Sequence, residues 1–72
     1  MVLEATPDVM ADQGFTPAET TVVLLLLEGL SNREIASRLV VSIRTVESHI
    51  SNTLEKSGCR SRLELSMWWL KN

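Results

Sequence analysis

The sequence predicts a small all-α domain of four helices, on three observations. Helix-start signals recur four times, no stretch shows the sustained period-two alternation of a strand, and only Val40 to Ser42 separate the two middle helices. At 72 residues there is room for a single small core. A chain of this size buries only about 60% of the surface its unfolded form exposes, so it needs efficient packing or a partner.

Residues 1–14 mix acidic, small and isolated apolar side chains with Pro7 and Gly14, and are expected to form a flexible tail or inter-domain linker ahead of a domain at 15–72. The first helix, about 17–28, starts at Thr16-Pro17-Ala18-Glu19, with an N-cap threonine, proline at N1 and glutamate at N3. Its run Val22 to Leu27 is apolar all round; Val22, Leu25 and Leu26 are expected to face the core, with Leu24 and Leu27 more exposed. Ser31 and Glu34 frame a second capping box for a helix at 32–39. Ser42 caps a third helix, 43–57, which stops at Gly58 with Lys56 in its last turn, where a cation suits the helix dipole. Ser61 and Glu64 frame the start of the fourth, 62–71.

Charge is divided along the chain. Residues 1–30 carry five carboxylates and no Lys or Arg. Residues 31–72 carry all seven cations against Glu34, Glu47, Glu55 and Glu64. The net −2 therefore hides a basic second half, the half that holds the two closely joined helices. The run of roughly 18 apolar residues that a membrane span needs is absent, and the N-terminus lacks the pattern of a signal peptide. With a single cysteine, the reading is of a soluble, cytoplasmic protein.

In the third helix Ile43, Val46, Ile50 and Leu54 make one apolar stripe, and Ala36 on the second helix is small enough to let the third cross closely at Val46. The opposite face holds Arg44, Glu47, Ser48, Ser51, Asn52 and Glu55, with Thr45 and His49 at its margins. An ordinary solvated face would carry more Lys and Glu. Short hydrogen-bonding side chains instead suit a helix pressed into the DNA major groove, where bulk would hold the backbone off the base edges.

Gly29-Leu-Ser-Asn-Arg-Glu-Ile-Ala36, Ser42-Ile-Arg-Thr-Val-Glu-Ser-His49, Lys56, Gly58 and Arg62 together resemble the LuxR/GerE-type helix-turn-helix, over roughly residues 15–70. The resemblance implies a four-helix domain at the C-terminus of a bacterial transcription regulator. It would read double-stranded DNA through its third helix and dimerise through its fourth, often behind an N-terminal regulatory domain. By position, Glu47, Ser48 and Ser51 fall at base contacts, with Arg44 and Asn52 on the same face. Thr45, His49, Lys56 and Arg62 are assigned to phosphate contact or helix support, and Ser31, Asn32 and Arg33 to phosphate at the start of the second helix. Three departures stand out. Glu47 occupies a position that is often basic, Ala18 replaces a usual arginine, and the turn between the two middle helices lacks the glycine common in simpler helix-turn-helix proteins. A carboxylate at 47 repels phosphate but can accept a hydrogen bond from cytosine N4.

The fourth helix has two apolar sets, Leu63/Met67/Leu70 and Leu65/Trp68/Trp69. A bundle this small buries only one fully. The tryptophan-bearing set, Leu65, Trp68 and Trp69, is assigned to a homodimer interface, where tryptophan is enriched. His49 and Cys59 make no metal site by themselves, no cofactor is expected, and no nucleophile–base–acid arrangement points to an enzyme. The alternatives to DNA binding are a protein-interaction module on the same scaffold, suggested by the acidic first half and Glu47, and the C-terminal region of a sigma factor.

Overall fold

The computed structural model describes residues 14–71. The tail expected at 1–14 lies almost wholly outside the described residues. Four helices follow one another: α1 (Pro17–Leu27), α2 (Asn32–Leu39), α3 (Ile43–Ser57) and α4 (Arg62–Lys71).

Each begins on the side chain its sequence supplies. Thr16 Oγ1 accepts the Glu19 amide at 3.1 Å while Glu19 Oε1 accepts the Thr16 amide at 3.0 Å, a complete capping box. Ser31 and Glu34 repeat it at 3.1 and 2.8 Å. Ser42 accepts the Thr45 amide at 3.1 Å. At α4 the pattern is shifted: Ser61 Oγ accepts the Glu64 amide, but the Glu64 carboxylate reaches past Ser61 to the Arg60 amide.

The helix ends differ. α1 closes with the Gly29 amide donating to Leu26 O at 2.9 Å and the Leu30 amide to Leu25 O at 3.3 Å, with Gly29 at φ +90°, where glycine carries no Cβ penalty. α2 closes in the same way, through Val40 to Ser37 O at 3.3 Å and Val41 to Ala36 O at 3.0 Å. The left-handed residue there is Val40, at φ 58° and ψ 49°. A β-branched side chain in that region costs roughly 1–2 kcal/mol. The turn that lacks glycine thus keeps the geometry that glycine would favour.

The core has two parts. Val22, Leu25, Ile35, Ala36, Val46 and Ile50 join α1, α2 and α3, with Leu26, Leu30, Leu39 and Leu54 packed around them. Ala36 and Val46 fall in this cluster, as their sizes suggest. Phe15, Val23, Leu65 and Trp69 form the second part, with Leu27, Leu54, Cys59 and Trp68 at its edge. Phe15 packs at a steep angle against both tryptophans, its ring centroid 5.0 Å from Trp69 and 5.8 Å from Trp68.

This second cluster corrects the reading of α4. Leu65 is fully buried and Trp69 nearly so inside their own chain, and Trp68 is half-buried beside them. The set assigned to a dimer interface is therefore the intramolecular face, because Phe15 and Val23 supply the apolar surface that covers it. Leu63, Met67 and Leu70 point outward, 72%, 56% and 74% exposed. On α1, Val22 and Leu25 are buried as expected, and so is Val23, which faces α4; Leu24 is exposed and Leu27 half-buried.

Candidate nucleic-acid interface

Burying Val46, Ile50 and Thr53 fixes the rotation of α3 about its axis. Arg44, Glu47, Ser48, Ser51 and Asn52 are consequently all exposed on one side, and Thr45 and His49 sit half-buried at its margins. Thr53 turns inward, its hydroxyl donating to His49 O at 2.7 Å. Ser42 and Thr45 hydroxyls lie 3.0 Å apart at the N-terminus of the helix.

The N-terminus of α2 lies beside this face. Ser31 and Arg33 are exposed and Asn32 is half-buried. Arg62, at the start of α4, donates through Nη2 to Asn32 Oδ1. Asn32, Arg62, Glu47, Ser51, Ile50 and Leu54 line an open groove of about 280 Å³. Residues expected at base edges and residues expected at phosphates thus share one surface. Arg33, Arg38 and Arg44 are exposed and have no ion-pair partner among the described residues, and the Glu47 carboxylate likewise has none.

Lys56 behaves differently from its neighbours. Its ammonium donates to Glu19 Oε1 at 2.7 Å and to Gly14 O at 2.9 Å. Lys56, read from the sequence as a phosphate contact or helix support, has its charge engaged within the fold by a carboxylate only 4% exposed. Burial pushes the Glu19 carboxyl upward, but the Lys56 ammonium and the Thr16 amide and hydroxyl outweigh it and hold the group below its ordinary range. The pair pins the C-terminal turn of α3 to the start of α1. Sequence reasoning saw Glu19 only as a capping residue, because its second partner lies 37 positions away. Phe15 was missed for a related reason: it precedes the first helix and carries no periodic signal.

Among the described residues no group of three or more His, Cys, Asp or Glu side chains is placed to hold a metal ion. None of the described helices is long and apolar enough to cross a membrane.

The pattern of the GerE family, bacterial regulatory proteins of the luxR family, matches residues 13–69. A protein of Mycobacterium tuberculosis named as an HTH-type transcriptional regulator is 52% identical over 50 residues, covering 69% of this chain and 6% of that protein. The response regulator Rre1 of Synechocystis is 43% identical over 58 residues, 81% of this chain and 25% of its own length. The nitrate/nitrite response regulator protein NarL of Escherichia coli is 38% identical over 53 residues, 74% of this chain and 24% of its own. The chain spans only a small part, 6% in the Mycobacterium relative and about a quarter in the two response regulators, of proteins it matches. No solved structure matches it. A family pattern that runs from Gln13 through Trp69, over four helices in the arrangement just described, means that this chain belongs to the luxR family of bacterial regulatory proteins.

Proposed function

We propose that this domain binds double-stranded DNA in a sequence-dependent way and serves transcription regulation in the bacterial cytoplasm. One observation carries the reading: the outward face of α3 is built from Arg44, Glu47, Ser48, Ser51 and Asn52, and shares a groove with Asn32 of α2 and Arg62 of α4. Small polar side chains let a helix backbone approach base edges, and exposed arginines without an ion-pair partner among the described residues, such as Arg33, supply phosphate contacts. In this reading Arg44, Glu47, Ser48, Ser51 and Asn52 face bases. Ser31, Asn32, Arg33, Thr45, His49 and Arg62 hold the backbone. Homologous response regulators motivate a regulatory domain N-terminal to this one, and the exposed Leu63, Met67 and Leu70 suit a second copy of the domain.

Fluorescence anisotropy of a labelled random-sequence duplex, titrated at several salt concentrations, tests it. Affinity that falls steeply with salt is the expected result. Absence of binding at low salt and high protein concentration overturns the reading. It would favour instead a protein-interaction module, which the exposed apolar side chains Leu24, Leu63, Met67 and Leu70 would serve.

A further inference from the structure

We propose that Glu47 makes the domain selective for a C·G base pair, by accepting a hydrogen bond from the exocyclic amine of cytosine. The inference rests on the DNA-binding reading above and specifies what that surface selects.

Glu47 is the sole carboxylate among Arg44, Glu47, Ser48, Ser51 and Asn52, and it is exposed with no hydrogen-bond or ion-pair partner among the described residues. The cation that shares its groove, Arg62, is directed to Asn32 instead. The carboxylate is therefore left as an open acceptor, and Ile50 and Leu54 give the groove apolar walls.

An ionised carboxylate accepts hydrogen bonds and donates none. In the major groove guanine presents O6 and N7 and thymine presents O4, all acceptors, so each repels it. Adenine offers its N6 amine, but beside the acceptor N7. Cytosine offers its N4 amine with no acceptor next to it on that edge. Among the four bases cytosine is thus the one whose edge suits a lone carboxylate. Ser51 lies one helical turn further on and lines the same groove. Its hydroxyl can donate to O6 or N7 of the paired guanine, completing an acceptor–donor reading of the pair.

The test is selection from a random duplex library, followed by sequencing, with the wild type, Glu47→Gln and Glu47→Ala at one salt concentration. Both substitutions fall at an exposed position and leave the core untouched. Wild type is expected to enrich cytosine at one position of the site by about tenfold over the other bases. Glu47→Ala should lose that preference, and Glu47→Gln should move it toward adenine, whose N6 and N7 a carboxamide can bind together. Enrichment of a site by wild type with the same base preference in both variants overturns the inference and leaves the DNA-binding reading standing. Failure of the wild type to enrich any sequence overturns sequence-dependent binding itself, and the inference with it.

Discussion

Replacing Lys56 with methionine keeps most of the side chain's apolar stem but strands the Glu19 carboxylate. That group is 4% exposed and would retain only Thr16, through its amide at 3.0 Å and its hydroxyl. Breaking a fully buried ion pair from one side costs about 3–5 kcal/mol. Lys56 is 35% exposed, so water reaches part of the vacated space and screening discounts the cost below that range, to about 2 kcal/mol. A domain of this size has total stability on the order of 5 kcal/mol, so the loss is a large fraction of it. With a urea m-value near 1 kcal/mol/M, the unfolding midpoint of Lys56→Met should fall by about 2 M. Fluorescence of Trp68 and Trp69 reports the transition directly, since both belong to the packed second cluster. Adding Glu19→Gln to Lys56→Met should restore more than half the loss, because no charge is then left buried without a partner. A midpoint shift below about 0.5 M, or a double variant no more stable than Lys56→Met, would refute the assignment of this pair to the fold.

Glu19 titrates below its ordinary 4.5, so its stabilising contribution is complete above that pH and is lost as pH falls through the lower folded value. Urea midpoints measured from about pH 7 down to pH 3 should therefore be flat and then decline, and the decline should be absent from Glu19→Gln. Val40→Gly should raise stability by about 0.5–1 kcal/mol, the left-handed strain relieved less the extra flexibility of glycine in the unfolded chain; thermal melts check this, and Val40 is 88% exposed so little burial is forfeited. Under the proposed pairing of two copies through α4, Leu63→Lys with Met67→Lys should leave the domain monomeric in sedimentation with the urea midpoint unchanged, whereas Trp69→Ala should cost about 3–5 kcal/mol of stability.

Local chemistry was the most legible part of the sequence. Thr16, Ser31, Ser42 and Ser61 each accept from the amide three residues on, as their spacing announces. The stripe of α3 was legible too, because its polar residues leave only one way for Val46 and Ile50 to face inward. α1 and α4 are different. Apolar side chains surround them, so periodicity does not choose a buried face; the choice falls to Phe15 and Val23, whose contacts with Leu65 and Trp69 bridge distant parts of the chain. The same limit hid the Lys56–Glu19 pair. At Val40 only the missing glycine was legible, and the left-handed turn persists because the amides of Val40 and Val41 close the end of α2.

Leu54 packs against both core clusters. The clusters also meet along α1, whose Val22 and Leu25 lie in one and Val23 in the other. A sub-global opening of the second cluster would release α4 and Phe15 while Ile35, Val46 and Ile50 hold α2 against α3. Amides of α4 would then exchange with solvent at a lower opening free energy than those of α3. Cys59 packs at the edge of the cluster that opens, so its labelling by a thiol reagent would time each such excursion without any added probe.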